Sequence, residues 1–462
     1  MRIYVDRLEI AIEPESTEGF IFRGTPALFD RKTKTWRLLP IYYFHFKRIM
    51  KERGVQIKSD VNEDFSLSSD LINKFSRNYR LRDYQENAIN RLSFSNWRGV
   101  IVLPTGAGKT IIGIEAIYRL KVRTLIVVPT LDLMNQWINK LISTLGVPRA
   151  NIYLYGGGSY QIGDITIATY ASAKKKEFLE RAIDYFGLVI FDEVHHLTGE
   201  LNREIAKRLI AKYRIGLTAT PGEDEIIKLL KTLVGPIFKV AGFRSLVSKG
   251  FLAPFDIKRV YVKLSEDEAR KYEELMARYL SYIRRINGEN EIERFNELVR
   301  RSVRDREARE ALLARIEAKN IAMKSKRKIE TLNELLRKHA SEKVIIFTRH
   351  TETAKYISAL FGFPYITGDM DKKRRKEILS MFRKGEITKL VTAEVLDEGI
   401  DIPSASVGII LAGRPSKRQL IQRIGRLLRP KGGKKAIIYE VITSRTYDYF
   451  ASRKRRVKID EL

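Results

Sequence analysis

The stretch that most constrains the fold of this 462-residue chain is IVLPTGAGKT, at residues 101 to 110. Apolar residues lead into a turn of small residues, and IIGIEAIYRL follows with helical spacing. Gly106 and Gly108 allow backbone N–H groups to face a phosphate at the start of that helix, where unpaired donors and the helix dipole favour negative charge. A strand, loop and helix of this kind predict a nucleotide-binding lobe built on a parallel sheet.

The side chains of this loop suit a nucleoside triphosphate and its metal. Lys109 is placed to reach the β and γ phosphates, and the Thr110 hydroxyl is placed to bind Mg²⁺. The frequent form of the motif begins with glycine, and here Leu103 stands in that place. We predict a phosphate loop formed by Pro104, Thr105, Gly106, Ala107, Gly108, Lys109 and Thr110.

A second apolar run, GLVIFDE at residues 187 to 193, ends in two carboxylates. Neighbouring residues of a strand point to opposite faces, so both carboxylates serve one site only if the chain turns there. We expect Asp192 to hold Mg²⁺ through water. We expect Glu193 to orient and deprotonate the attacking water, a role worth roughly 10² to 10⁴ in rate.

Two histidines, His195 and His196, follow these carboxylates. A zinc site is a poor interpretation, because adjacent histidines rarely place both rings on one metal and the chain has no cysteine. We expect one histidine to bond across the cleft to a group that senses the γ-phosphate, and the other to pack. His195 is the better candidate for the first role.

Short β-branched runs alternate with helical stretches from residue 99 onward, which is typical of a parallel sheet with helices on both faces. The first series is GVIVL, TLIVVP, NIYLY, ITIAT, GLVIFDE and RIGLTAT. The second series is EKVIIFT, FPYIT, KLVTAE, SVGIILAG and AIIYEVI. We predict two α/β lobes, at residues 73–244 and 245–462.

Two segments have a different character. Residues 266–338 are rich in Arg, Glu, Ala and Leu, with apolar residues at helical spacing, and predict two or three long helices inserted in the second lobe. These helices are either a spacer or a device for contact. Residues 1–72 predict a small α+β accessory domain, with strand-like runs IFRGTPALF and TWRLLPIYYFHF and no chemical motif.

Composition limits the partners and the compartment. The net charge of +30 favours polyanionic partners, although a solvated basic surface is the alternative. The absence of cysteine excludes a Cys-based iron–sulfur cluster and fits a reducing compartment. No apolar run suits a membrane span or a signal peptide, so we expect a cytoplasmic, nucleoid-associated protein.

The ordered motifs of the chain resemble those of superfamily 2 helicases. They are PTGAGKT, DEVH, the TAT motif from Thr218 to Thr220, and QRIGRLLR at residues 422–429. The resemblance implies two RecA-like, doubly wound parallel-sheet lobes, ATP and Mg²⁺ as cofactors, and coupling of ATP to nucleic acid through His195, Thr218 and Thr220. LRDYQ resembles an adenine-recognition element, in which Arg82 would stack on the base and Gln85 would bond its edge.

QRIGRLLR supplies cations from the second lobe. Arg426 and Arg429 are three residues apart and share one face of a helix, and arginine keeps its charge in a cleft. As arginine fingers on the γ-phosphate they would add roughly 10³ to 10⁵ in turnover. A basic helix is the alternative. We expect Gln422 near the same phosphate, and the resemblance places Asp401 at the ribose.

The resemblance also implies contacts with nucleic acid at loops away from ATP. Backbone amides and hydroxyls there suit phosphates without reading bases. The implied residues are Pro129, Thr130, Thr169, Tyr170, Thr348, Arg349, Thr367, Gly368 and Thr392.

Within the superfamily the chain resembles the XPB helicases of DNA repair and transcription, in their short archaeal form. DEVHH, the helical insertion and the N-terminal domain carry this resemblance, the last two resembling the thumb and the damage-recognition domain. The R-E-D element of that family is Gly222, Glu223 and Asp224 here, so its arginine is missing. The resemblance implies 3′ to 5′ movement on single- and double-stranded DNA, in excision repair or promoter opening, with a structure-specific endonuclease as partner.

Two other functions remain open from the sequence. One is a DExH RNA helicase, or the motor of a restriction or remodelling complex, because these share most of the motifs. The other is a basic DNA-binding scaffold with a vestigial ATPase. Intact Lys109, Glu193, Arg426 and Arg429 argue against the scaffold.

Overall fold

The computed structural model describes residues 1–14, 19–252, 254–393, 405–411 and 436–455. Two compact units result, one spanning Met1–Leu246 and one beginning at Val247. The first unit holds the N-terminal domain and the first α/β lobe, and the second holds the helical insertion and the second lobe. Across the described residues, none of the helices has the length and apolar character that crossing a membrane requires.

The N-terminal domain is a five-stranded sheet covered by one helix. Its strands are β1 (Arg2–Asp6), β2 (Glu9–Glu13), β3 (Leu28–Asp30), β4 (Thr35–Leu38) and β5 (Lys58–Ser59). Their order is β3-β4-β2-β1-β5, antiparallel except for the β1 and β5 pair. The helix α1 (Tyr43–Glu52) follows β4, and the short helix α2 (Ser69–Asn73) precedes the first lobe.

The strand prediction for TWRLLPIYYFHF is wrong beyond its first four residues. Only Thr35–Leu38 is extended; Pro40–Tyr42 forms a 3₁₀ turn, and α1 begins at Tyr43. Proline has a fixed φ and no N–H, so it favours the first turn of a helix. Tyr43, Phe46 and Met50 then bury one helical face. IFRGTPALF is likewise mostly turn, with only its end in β3.

The first lobe is an eight-stranded sheet with helices on both faces. Its strands are β6 (Arg98–Val102), β7 (Thr124–Val128), β8 (Ile152–Gly156), β9 (Ser159–Tyr160), β10 (Ile165–Thr169), β11 (Leu188–Asp192), β12 (Tyr213–Thr218) and β13 (Ile237–Lys239). The order is β13-β6-β12-β11-β7-β10-β8-β9, parallel except for the β8 and β9 hairpin. Every residue of β7, β10 and β11 is buried, as their continuous apolar runs predict.

The helices of the first unit from α3 onward connect these strands or follow them. They are α3 (Asp83–Phe94), α4 (Lys109–Leu120), α5 (Leu131–Leu145), α6 (Tyr170–Ala173), α7 (Lys176–Ala182), α8 (Glu200–Lys207), α9 (Asp224–Leu233) and α10 (Phe243–Ser248). The division between the two units falls inside α10.

The second lobe is a six-stranded, wholly parallel sheet. Its strands are β14 (Phe255–Val262), β15 (Val344–Thr348), β16 (Tyr365–Ile366), β17 (Lys389–Ala393), β18 (Val407–Ile410) and β19 (Ala436–Thr443), in the order β14-β19-β18-β15-β17-β16. Its described helices are α15 (Thr351–Phe361), α16 (Lys372–Lys384) and α17 (Tyr447–Arg455). The five predicted runs are strands, and β14 is an additional one. As an edge strand it buries only Phe255 and Val262, so its sequence lacks an apolar run.

Residues 266–338 form four helices, where the sequence predicts two or three. They are α11 (Glu266–Ile283), α12 (Glu291–Arg301), α13 (Arg306–Lys324) and α14 (Lys326–Lys338). Asp305 and Ser265 cap α13 and α11 with hydrogen bonds to their first-turn amides. Leu332, Leu335 and Leu336 of α14 pack in the core of the second lobe, so the insertion consists of α11, α12 and α13.

Candidate nucleotide-binding and catalytic site

The phosphate loop follows β6 and adopts the conformation that its glycines allow. Gly106 and Gly108 have φ of 84° and 79°, in the left-handed region that other residues rarely occupy. Gly108 is the N-cap of α4, so the helix begins with Lys109 and Thr110. Lys109 Nζ donates a hydrogen bond to Leu103 O at 3.2 Å, which places the ammonium over the turn.

The adenine-recognition segment is bonded to this loop. Gln85 Nε2 donates to Ala107 O at 3.3 Å, and Gln85 Oε1 accepts from Arg82 N at 3.0 Å. The Tyr84 hydroxyl also donates to Ala107 O, at 2.8 Å, and accepts from Arg82 Nη1 at 3.1 Å. A Cβ on Gly108 would lie 2.6 Å from Gln85 Nε2. The buried amide of Gln85 therefore braces the phosphate loop, a role that the sequence did not suggest.

Asp192 ends β11 as a buried carboxylate with fixed partners. Its Oδ2 accepts from Trp137 Nε1 at 2.8 Å, and its Oδ1 accepts from Glu193 N at 3.0 Å. Burial raises the pKa of Asp192 to about 6, helped by the charge of Glu193 and opposed by Trp137 and Lys109. Trp137 lies on the buried, apolar face of α5, and the sequence analysis did not single it out. A buried indole N–H needs an acceptor, and this was the signal for its role.

The chain turns immediately after Asp192. Glu193 has φ of 47° and ψ of 56°, a left-handed conformation that is uncommon for a residue other than glycine, and a 3₁₀ helix over Val194–Thr198 follows. The turn brings Glu193 to the same edge of the sheet as Asp192, which an extended strand would not do. Glu193 Oε2 lies 3.5 Å from His195 Nδ1.

His195 connects Glu193 to the TAT motif. Its Nδ1 lies 3.3 Å from Thr218 Oγ1, and Thr218 Oγ1 donates to Thr220 O at 2.9 Å. Because that hydroxyl hydrogen is used on Thr220, the imidazole is the donor to Thr218. His196 packs its ring on His195 at 4.7 Å and on Tyr170 at 5.3 Å. The two histidines therefore have different surroundings, with His195 in the polar chain.

The carboxylates of this site suit a magnesium ion. Burial, and after it the charge of Glu193, raises the pKa of Asp192, and a cation beside the two carboxylates stabilises their charged forms. Mg²⁺ is commonly held by one or two carboxylates together with substrate phosphates. Asp192 and the Thr110 hydroxyl are the protein groups that fit. Among the described residues no cluster of three or more His, Asp or Glu side chains offers a different metal site.

The predicted nucleic-acid residues of the first lobe follow β7 and β10. β7 lies beside β11 and β10 lies beside β7, whereas the nucleotide residues follow β6, β11 and β12. Thr130 and Thr169 use their hydroxyls to cap α5 and α6, and Pro129 precedes Thr130. Tyr170 is buried, and its hydroxyl donates to Asp192 O at 3.1 Å, so its contact with nucleic acid stays a prediction.

The predicted nucleic-acid residues of the second lobe also point mostly inward. Thr348, Thr367 and Thr392 are almost fully buried, and Thr348 Oγ1 donates to Thr392 O at 3.2 Å. The Thr348 hydroxyl is thus used within the protein, since hydroxyls at strand ends are drawn to nearby carbonyls. Contact of the three threonines with nucleic acid stays a prediction. Arg349 is partly exposed and Gly368 is exposed. Four predicted residues lie outside the described part of the chain: Asp401, Gln422, Arg426 and Arg429.

Comparison with known proteins identifies the family. Residues 78–223 match the family model of the type III restriction enzyme res subunit, and residues 327–431 match the helicase conserved C-terminal domain. The DNA 3′-5′ translocase XPB2 of Sulfurisphaera tokodaii is 40% identical over 428 residues, which are 92% of this chain and 94% of that protein. The chain belongs to the XPB family of helicases.

Other members of the XPB family are more distant and longer. The DNA 3′-5′ helicase XPB of Kineococcus radiotolerans is 29% identical over 82% of this chain and 62% of its own length. The XPB subunit of general transcription and DNA repair factor IIH from Dictyostelium discoideum is 26% identical, over 89% of this chain and 51% of its own length. The prediction of an XPB-type helicase is confirmed, and helicases of this kind use ATP.

A solved structure supports the fold of this XPB-family chain. The helicase domain of Pyrococcus furiosus Hef matches with a TM-score of 0.54 at 23% identity, covering 84% of this chain and all of that one. At this identity the likeness extends to the fold alone. The prediction of two helicase lobes with parallel sheets is confirmed.

Proposed function

We propose that this chain is an ATP-driven DNA helicase or double-strand DNA translocase that moves 3′ to 5′. The observation that carries the proposal is the chain of contacts from Glu193 through His195 to Thr218 and Thr220. It occurs in a chain that is 40% identical to a DNA 3′-5′ translocase. In this proposal the chain opens duplex DNA or moves along it, in excision repair or at promoters.

The proposed chemistry assigns one role to each group of the site. Lys109 binds the β and γ phosphates, Thr110 and Asp192 hold Mg²⁺, and Glu193 takes the proton of the attacking water. Magnesium offsets phosphate charge when it is bound. Trp137 fixes the Asp192 carboxylate, since its N–H occupies Oδ2.

Recognition of the base and the ribose completes the nucleotide site. Arg82 stacks on adenine and Gln85 bonds the edge of the base, while Gln85 and Tyr84 also hold the phosphate loop. Asp401 contacts the ribose. Gln422, Arg426 and Arg429 keep their proposed place at the γ-phosphate, on sequence grounds alone.

The polar chain from Glu193 to Thr220 is the proposed route of coupling. Loss or gain of the γ-phosphate changes what Glu193 faces, and His195 transmits the change to Thr218. Thr218 also bonds the backbone of Thr220, so the start of the TAT loop moves with it. The R-E-D element without its arginine, at Gly222, lies directly after this loop.

The proposed organisation has three parts and two classes of partner. Residues 1–72 are an accessory domain resembling a damage-recognition domain, residues 73–244 are the ATP-binding lobe, and residues 245–462 are the second lobe. DNA, single- or double-stranded, is the substrate. A structure-specific endonuclease is the proposed protein partner, and the location is the cytoplasm, at the nucleoid.

The test is ATP turnover with duplex DNA, single-stranded DNA or RNA added. We expect DNA to raise turnover several-fold and RNA to raise it little. Glu193→Gln is the control: it should retain ATP binding and lose about 10² or more in turnover, because only the base is removed. Equal stimulation by RNA would favour the DExH RNA helicase, and duplexes with 3′ or 5′ tails report the direction of movement.

A further inference from the structure

Three cations gather where the helical insertion meets the second lobe. Arg315 and Lys319 lie four residues apart on α13, so they share one face of that helix. Arg349 follows β15 in the loop that leads to α15. All three are half-buried, and both arginines contribute to the electrostatic environment of Lys319.

Aromatic rings hold two of these cations in place. The Arg315 guanidinium carbon lies 3.9 Å from the ring centroid of Phe295 and 5.1 Å from that of Tyr279. Lys319 Nζ lies 4.4 Å from the ring centroid of Tyr447. Such contacts contribute about 0.5–2 kcal/mol each and fix the direction of flexible side chains. The cations are therefore positioned before any ligand arrives.

Two of the three guanidinium nitrogens of Arg349 make no hydrogen bond to the described protein. Its Nε and Nη1 are buried, and within the described chain no acceptor lies in hydrogen-bond range of either atom. A buried guanidinium donor without an acceptor costs about 1–3 kcal/mol or more. A solvated basic surface, the alternative in a chain of net charge +30, would leave these donors open to water, whereas both are buried. A phosphate bonds to them once the partly exposed Arg349 side chain turns outward.

The charge of the cluster is also poorly compensated. Burial, and after it the charges of Arg315 and Arg349, lower the pKa of Lys319 to about 8, while the charge of Glu291 opposes them. Like charges in a partly desolvated position are stabilised by a bound anion. Elsewhere on α13 the basic and acidic side chains pair normally, for example Glu317 with Lys271 at 2.6 Å.

We propose that Arg315, Lys319 and Arg349 form a phosphate site that takes a backbone phosphate of the nucleic acid. The inference rests on the proposed function, because it makes DNA the source of the phosphate. Guanidinium groups bind phosphate oxygens with paired hydrogen bonds, and an ammonium adds a point charge. Such contacts grip the backbone independently of sequence. The insertion is then a device for contact and not a spacer.

The site predicts a specific dependence of DNA binding on pH. A bound phosphate stabilises the charged form of Lys319, so binding takes up a proton when the free site is deprotonated. Affinity should therefore fall as pH rises through about 8, and below about 7, where Lys319 stays charged, it should no longer change with the titration of this group. The groups that face Lys319 are Arg315, Arg349, Glu291 and the Tyr447 ring, and arginine keeps its charge throughout.

The experiment is fluorescence anisotropy of labelled duplex DNA with the full chain at about pH 7 and about pH 9. We expect the Kd of the unmodified chain to rise several-fold between these values. Lys319→Arg should bind tightly at both and lose the pH dependence. Lys319→Met should bind about tenfold more weakly at neutral pH, with a salt slope smaller by about one.

Lys338→Met is the matched control. Lys338 is exposed on α14, so this substitution removes the same charge from outside the cluster. It should leave the pH dependence intact. The proposal is overturned if Lys319→Met keeps the affinity, salt slope and pH dependence of the unmodified chain.

Inorganic phosphate, titrated at constant ionic strength, separates the two sources of the anion. Competition with DNA that disappears in Lys319→Met supports a shared site for the backbone phosphate. The assignment to nucleic acid is overturned if phosphate stabilises the unmodified chain against unfolding while Lys319→Met binds DNA as tightly as the unmodified chain does. Failure of DNA to bind or to stimulate ATP turnover in the unmodified chain would instead contradict the proposed function, so the two failures are distinguishable.

Discussion

Glu115 in the first lobe and Lys319 in the insertion both hold a charge away from solvent, and their surroundings differ in kind. The Glu115 side chain is 1% exposed and accepts four hydrogen bonds. Two come from Arg77 at 3.1 Å, one from the Tyr79 hydroxyl at 2.7 Å and one from Arg119 at 2.7 Å. Lys319 has an aromatic ring below it and two arginines near it.

The difference separates a charge that completes the fold from a charge that awaits a ligand. Glu115 ties α4, which begins at the phosphate loop, to the segment that leads into Arg82, and every bond it needs is internal. The second lobe can do the same: Lys328 is fully buried and donates to Asp448 Oδ2 at 2.6 Å and to Leu411 O at 2.7 Å. The surroundings of Lys319 are therefore not a general property of that lobe.

Removing Lys328 should have the largest effect on stability. Lys328→Met takes a buried cation from Asp448, and breaking such a pair costs about 3–5 kcal/mol. Hydrogen exchange followed by mass spectrometry should show faster exchange in α14 and β19, where Thr443 N donates to Asp448. Adding Asp448→Leu to Lys328→Met should recover part of the protection, because no unpaired charge remains. Full protection in the single variant would show that the pair does not support the lobe.

Removing the charge of Glu115 should have an intermediate effect. Glu115→Gln keeps the shape and weakens the charge-assisted bonds, which are worth about 1.5–3 kcal/mol. We expect a lower thermal midpoint and faster exchange over residues 77–82. Arg119→Ala is the control, because it removes only the partly exposed partner on the same helix, worth less than about 1 kcal/mol. An equal loss in both variants would show that the link to Arg77 and Tyr79 is not the important one.

Local sequence was sufficient where the chain itself determines the geometry. Gly106 and Gly108 require left-handed φ, and both have it. The order of strand ends followed from alternating runs, because parallel strands bring their carboxyl ends to one edge. Trp137 shows the limit: it bonds Asp192 across 55 residues of sequence, through the packing of α5 near β11. An apolar helical stripe predicts burial of the indole but not the partner of its N–H.

Side-chain direction was the second limit. The resemblance assigned Tyr170, Thr348 and Thr392 to loops at the sheet edges that meet nucleic acid. The structure places these residues at the ends of strands or directly after them. Nearby carbonyls took the hydroxyls of Tyr170 and Thr348. The cluster at Lys319 could not be predicted either, since α13 and the loop after β15 are brought together only by the fold.

Removing Lys319 should have the smallest effect on stability, and in the opposite direction. The pKa of Lys319 is about 8 in the folded chain against an ordinary 10.5. Between these values the unfolded chain binds more protons, so the contribution of this group to stability rises with pH, and at neutral pH its charge opposes folding. Lys319→Met keeps the apolar stem beside Tyr447 and removes that charge.

We therefore expect the thermal midpoint of Lys319→Met to be unchanged or slightly higher at neutral pH. The gain in the free energy of unfolding should not exceed about 1 kcal/mol, because solvent screens a half-buried group. The same variant should bind DNA less tightly, which separates the two properties in one protein. The midpoint of Lys319→Met relative to the unmodified chain should fall as pH rises above about 8, where the cost of the charge disappears. A loss of stability like that of Lys328→Met would mean that the cations at α13 are part of the framework, and the contrast with Glu115 would not stand.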